Sequence, residues 1–292
     1  MTFHPPVAIV AKAGDAGKYK VGLPAWNMLL RGFMAGAYIA MGGALATVCS
    51  TGIAASDAAL RYGTASAGFA QLITGAVFPV GLIIIVLTGA ELFTGDAMLA
   101  PMAAFIHKIS WAQVLNLWVW VYIGNLIGSI VYAYIMAYGP FSSWDAAGAV
   151  TVTAFGTRAI AIAGAKVSYV SMAAQWSCFV KAIACNWLVN LAVLLGICAD
   201  DLIGKFFGIW FPIMAFVSSG FEHSIANMYF IPAGILTQGF ITDPAKINAG
   251  LTWVTMWTNN VIVVTIGNII GGLFFVGIIY WVAFRKEIAA LK

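Results

Sequence analysis

With 62% of its 292 residues hydrophobic and only 8% charged, the chain is far below the roughly 25% charge of an average soluble domain, which excludes a soluble globular fold. Apolar runs of about 20 residues, enough to cross a bilayer, recur along it, without the roughly ten-residue alternation of a membrane β-barrel. The net charge of +4 collects mostly near the ends, so it bears on topology and offers nothing to nucleic acid.

The N-terminal stretch to Asn27 does not read as a signal peptide, because its apolar patch is too short and lacks a small-residue cleavage site. Six spans are expected: Trp26 to Gly52, Ala67 to Ile106 with a polar interruption, Gln113 to Tyr138, Met172 to Cys198, Leu202 to Leu236 with an interruption at Ser218 to Ser224, and Trp253 to Phe284. A looser stretch, 139–171, separates the third and fourth. An even number of spans places both termini on one side. That side collects nine basic residues (Lys12, Lys18, Lys20, Arg31, Lys108, Lys205, Arg285, Lys286, Lys292) against four on the other (Arg61, Arg158, Lys166, Lys246). The positive-inside rule then predicts cytoplasmic termini; the expected location is the plasma membrane. Lys181 lies inside the fourth span and is left out of the count.

Cys49, Cys178, Cys185 and Cys198 form no CxxC pair and read as small apolar core residues. His4, His107 and His223 are too few for paired haem ligation, which argues against a redox subunit. No metal, cofactor or enzymatic activity is expected.

The chain repeats itself. "GAELFTG" (89–95) interrupts the second span and "GFEHSIA" (220–226) the fifth; "GNLIGS" (124–129) lies in the third and "GNIIGG" (267–272) in the sixth. A unit of three crossings is odd, so its second copy is inverted. The expected architecture is therefore one all-α polytopic transmembrane domain over 1–292. It has six helices as an inverted 3+3 repeat, about 25–139 and 172–285, with broken second and fifth helices.

A helix breaks inside a membrane only where its freed N–H and C=O groups find partners. The paired glycines of the GN motifs have the spacing of close helix packing. Asn125 and Asn268 can bond across helices or reach the carbonyls freed at the breaks. Half-helix N-termini attract anions. Thr94 adds a hydroxyl at the first break, and Ser224 and Asn227 add polar groups after the second. His223 stands out as a titratable group at membrane depth. Glu91 and Glu222 border the half-helices and are expected to accept backbone N–H bonds there. Phe78 and Leu82 precede the first break, Phe211 and Phe216 the second; if they line a path, they gate it by dewetting.

Four motifs in order, "LTGAELFTG" (87–95), "CNWLVNLAV" (185–193), "SGFEHSIANMYFIPAG" (219–234) and "VTIGNIIGG" (264–272), resemble the formate/nitrite transporter family over nearly the whole chain. "RGFMAGAYIAMGG" (31–43) and "GAVFPVGLIII" (75–85) look closest to its archaeal formate-type branch. The resemblance implies an aquaporin-like protomer, a homopentamer in the lipid bilayer, and one pore per protomer. It implies that His223 sits between two constrictions, formed by Phe78, Leu82 and Phe216. It places Thr94 and Asn186 near the histidine, with Glu222, Asn227 and Asn268 in the remaining motif positions. It also implies that Lys20 and Lys166 attract anions at vestibules.

The resulting expectation is a pentameric channel or transporter for small monovalent anions, formate first, in which His223, oriented by Asn186, pairs with the anion and hands it a proton. The same fold could instead carry nitrite, hydrosulfide, acetate or lactate. A neutral-solute channel is disfavoured because the tandem Asn-Pro-Ala motif of water channels is missing.

Overall fold

The computed structural model describes residues 3–53 and 63–290; Arg61 and Lys292, counted above, lie outside them. A first helix, α1 (Pro6–Val21), starts with proline where the helix needs no N–H donor and precedes the apolar α2 (Ala25–Ser50). The chain continues through α3 (Gly63–Val77), α4 (Val80–Thr88) and α5 (Phe93–Phe105). Next comes α6 (Trp111–Tyr138), opened by a capping box between Ser110 and Gln113. The stretch read as loose contains an antiparallel hairpin, β1 (Ser142–Trp144) with β2 (Val150–Val152), and a helix, α7 (Ala154–Lys166). Then follow α8 (Met172–Cys198), α9 (Leu202–Ser218) and α10 (Ser224–Gln238). A last long helix comprises α11 (Trp253–Met256), α12 (Ile262–Gly272) and α13 (Ile279–Ala290), joined by π-helical turns at Trp257–Val261 and Leu273–Ile278.

Among the described residues, five helices are long and apolar enough to cross a membrane: Ala25–Ser50, Gly68–Thr88, Trp111–Tyr138, Met172–Cys198 and Trp253–Ala290. Leu202–Ser218 is apolar but shorter. The molecule is a multi-pass membrane protein.

Two tight helix pairs frame the interior, α2 against α6 and α8 against α12. Both depend on missing side chains. A Cβ on Gly32 would lie 2.8 Å from the Val121 carbonyl oxygen, and one on Gly267 would lie 2.6 Å from the Ala182 Cβ. Backbones can approach this closely only at small residues. Helix α1 packs on α5 and α13, and the His4 N–H donates to the Cys198 carbonyl at 2.8 Å. The N- and C-terminal helices therefore meet on one side of the molecule, called the terminal side below.

Candidate functional site

Two non-helical segments between apolar helices, 89–92 and 219–223, share a pattern. Each segment turns on a glycine in the left-handed region, Gly89 at φ 76° and Gly220 at φ 70°, where a side chain would be strained. Each then presents a buried glutamate, Glu91 or Glu222.

The freed backbone groups are satisfied by asparagines from other helices. The Phe93 N–H donates to Asn125 Oδ1 at 3.0 Å, while Asn125 Nδ2 donates to the carbonyls of Glu91 (2.9 Å) and Gly32 (2.8 Å). The Ser224 N–H donates to Asn268 Oδ1 at 2.8 Å, while Asn268 Nδ2 donates to the carbonyls of Glu222 (3.0 Å) and Ala182 (2.8 Å). One amide thus ties three backbone groups in each place, as a buried helix end requires.

The expectation that the two carboxylates cap the half-helices is corrected, because both are occupied by cations. Glu91 pairs with Lys20, with the Arg31 Nη1 3.7 Å from its other oxygen. Glu222 accepts from Lys166 Nζ (2.8 Å), Tyr169 Oη (2.9 Å) and Asn227 Nδ2 (2.7 Å). Lys20 and Lys166, expected as vestibule charges, line cavities on opposite sides, yet each is locked in an ion pair with its side chain under 20% exposed (16% and 18%). Burial opposes the Lys20 charge, but the Asp96 and Glu91 carboxylates outweigh it and hold its pKa above that of an ordinary lysine. Burial and the Glu222 charge raise the Tyr169 phenol pKa, so it stays a donor.

His223 is the N-cap of α10 and is buried. Its Nδ1 accepts the Ala226 N–H at 3.1 Å, and its Nε2 lies 3.1 Å from Thr94 Oγ1. An acceptor nitrogen carries no proton, so the ring proton in this arrangement sits on Nε2. The Phe216 ring stacks on the imidazole, centroids 5.8 Å apart.

Asn186 does not reach the histidine directly, which corrects its expected role. Its Nδ2 donates to the carbonyls of Thr94 (3.0 Å) and Asn268 (2.6 Å), and Asn190 joins it on the Thr94 carbonyl at 3.1 Å. It positions Thr94, and Thr94 meets His223. The buried Ser224 hydroxyl and Asn227 Oδ1 have no hydrogen-bond partner among the described residues.

Two cavities, with a constriction between them, follow one another through these residues. One of about 730 Å³ is lined by Lys166, Arg158, Asn227, Phe78, Phe216 and His223. A constriction too tight to hold a water molecule shares Phe78, Phe216 and His223 with it and adds Leu82 and Leu92. The second cavity, of about 780 Å³ on the terminal side, shares Leu82 and Leu92 and is lined by Lys20, Arg31 and Glu91. Phe78 meets Phe216 edge-on at 5.9 Å. Phe211 is 61% exposed and lines none of the three. Leu92, Arg31 and Asp96 were not singled out from the sequence. Register offered a signal for two of them, since Leu92 follows Glu91 as His223 follows Glu222, and Asp96 and Asn227 both come five residues after their glutamates.

Comparisons with known proteins agree with one another. The family model described as formate/nitrite transporter matches residues 7–282. A probable formate transporter of Methanothermobacter thermautotrophicus is 41% identical over 98% of this chain and 99% of that protein. The formate channel FocA of Escherichia coli K12 is 33% identical over 97% of this chain and 95% of its own length. Among solved structures, a pentameric formate channel with formate bound superposes with a TM-score of 0.72 at 34% identity, covering 90% of this chain and 98% of that one.

Proposed function

Because this chain belongs to the formate/nitrite transporter family, we propose that it conducts small monovalent anions, formate first, through one pore in each protomer of a homopentamer in the plasma membrane. The similar formate transporter and formate channels support the substrate, and the pentameric neighbour supports the assembly. The matching amide ties at the two non-helical segments support an inverted 3+3 repeat in a single domain. The basic excess on the terminal side supports cytoplasmic termini.

One observation carries the mechanism: the Nε2–H of His223 and the Thr94 hydroxyl meet at 3.1 Å beside an apolar constriction. A carboxylate entering there takes Nε2–H in place of the Thr94 oxygen, and the hydroxyl turns to become a second donor. The walls of Phe78, Phe216, Leu82 and Leu92 make a bare charge expensive and a neutral acid cheap to pass. Passage is therefore linked to a proton. Charging the imidazole requires Nδ1 to give up the Ala226 N–H, a cap worth about 1 kcal/mol. The cost of losing that cap and the burial of the ring both favour the neutral form, and an anion beside Nε2 favours the charged one.

Formate uptake into proteoliposomes over about pH 5 to 8 tests this. Native uptake rises with acidity, and His223→Asn loses the rise. Equal pH-insensitive uptake in both proteins would leave a passive pore with a structural histidine.

A further inference from the structure

Asp96 has no part in that mechanism, yet it is completely buried. Lys20 Nζ lies 2.9 Å from its Oδ1, and its Oδ2 has no hydrogen-bond partner among the described residues. The same lysine also serves Glu91. Two carboxylates, both buried, thus share one ammonium at the edge of a cavity.

The second non-helical segment shows what the same place does when it is filled by an amide. Asn227, five residues after Glu222, donates its Nδ2 to Glu222 Oε2 at 2.7 Å beside the Lys166 pair. An ionised aspartate has no hydrogen to give in the corresponding position. A protonated one has an O–H and can act as the amide does.

The charges around Asp96 sum simply. Lys20 from α1 and Arg31 from α2 are positive, and Glu91 and Asp96 are negative. Helix α6 offers only the Trp118 indole, which donates to the Asp96 backbone carbonyl at 3.0 Å. Helices α6, α10 and α12 contain no charged residue, and the π turn at Leu273–Ile278 contains none. His223 at the head of α10 faces Thr94, and Lys181 of α8 faces Tyr169. The cluster is therefore neutral with Asp96 ionised and carries one net positive charge with Asp96 protonated. Lys20, Arg31 and Glu91 line the terminal-side cavity of about 780 Å³.

We propose that Asp96 is a second proton-binding site, which loads together with a small monovalent anion in the terminal-side cavity. A hydronium ion in the cavity gives its proton to the Asp96 carboxylate and is left as water; the cluster becomes positive, and an anion is held beside Lys20 and Arg31. By reciprocity, the anion favours that proton by the same factor. The inference rests on the anion-transport reading and extends it from one proton site to two, on opposite sides of the Leu82 and Leu92 wall.

Infrared spectra of the full-length protein in liposomes, recorded as the pH is lowered with sodium formate, sodium nitrite or sodium gluconate, test it. The expected result is a protonated-carboxyl stretch that appears at higher pH with formate or nitrite than with gluconate. It persists in His223→Asn and is lost in Asp96→Asn, whose amide reproduces the Asn227 arrangement and keeps the fold. The same band in Asp96→Asn, or a native band unmoved by both small anions, overturns the proposal. Formate uptake by the same liposomes reports separately on the transport reading, since its loss would not restore a band to Asp96→Asn.

Discussion

The two non-helical segments, 89–92 and 219–223, share a scaffold and differ in charge. In each, a left-handed glycine turns the chain, a glutamate accepts a lysine, and an asparagine from a distant helix ties three backbone groups. The scaffold meets a demand that does not depend on cargo, since buried peptide groups need partners wherever they lie. The differences sit on the side chains that the scaffold holds. Leucine stands at 92 where histidine stands at 223, and aspartate at 96 where asparagine stands at 227. Backbone satisfaction is thus duplicated while chemistry is not, so substitutions in the scaffold should act alike in the two places and substitutions in the charge clusters should not.

The largest expected asymmetry is at the glutamates. Glu222→Gln leaves Lys166 with no other carboxylate within reach among the described residues, and stranding one partner of a buried pair costs about 3 kcal/mol. Glu91→Gln leaves Lys20 with Asp96 still 2.9 Å away, so the loss should be about 1 kcal/mol. Adding Asp96→Asn to Glu91→Gln should raise that loss to the Glu222→Gln level. Thermal unfolding in detergent reads all three, and equal losses for the two single variants would remove the charge asymmetry.

The asparagines should behave alike. Asn125→Ala and Asn268→Ala each delete three hydrogen bonds to buried backbone groups. At roughly 1 kcal/mol for each bond, both should lose about 3 kcal/mol. Hydrogen exchange should rise at Phe93 in the first variant and at Ser224 in the second. A loss confined to one of them would show that the two segments are held differently.

These pairings explain what could be read from the sequence. Composition and apolar run length announced the long helices, and the shared Gly-x-Glu and GN motifs marked both non-helical segments. The partners of the glutamates could not be read locally. A carboxylate beside a helix start is ordinarily a cap, and only the fold brings Lys20 to Glu91, 71 residues away, or Asn125 to Phe93, 32 residues away. Asn186 was placed beside the histidine but acts one residue removed, through a carbonyl that no side-chain pattern reports. Helices α1 and α7 were missed because their mixed composition resembles loop next to the long apolar runs. Leu92 was invisible by type in a chain so rich in apolar residues, and only its register against His223 could have exposed it.

The smallest effects test the shared scaffold most cleanly, because they leave every charge in place. Gly89 and Gly220 both have left-handed φ, and in both an added Cβ would meet nothing within 4 Å. Alanine there costs only the backbone preference, about 1 kcal/mol. Gly89→Ala and Gly220→Ala should therefore lower thermal stability by similar small amounts and leave the pH profile of uptake unchanged. If Gly220→Ala alone altered that profile, the turn would be aiming His223, three residues on, rather than only closing a helix. The likeness of the two segments would then end at the backbone itself.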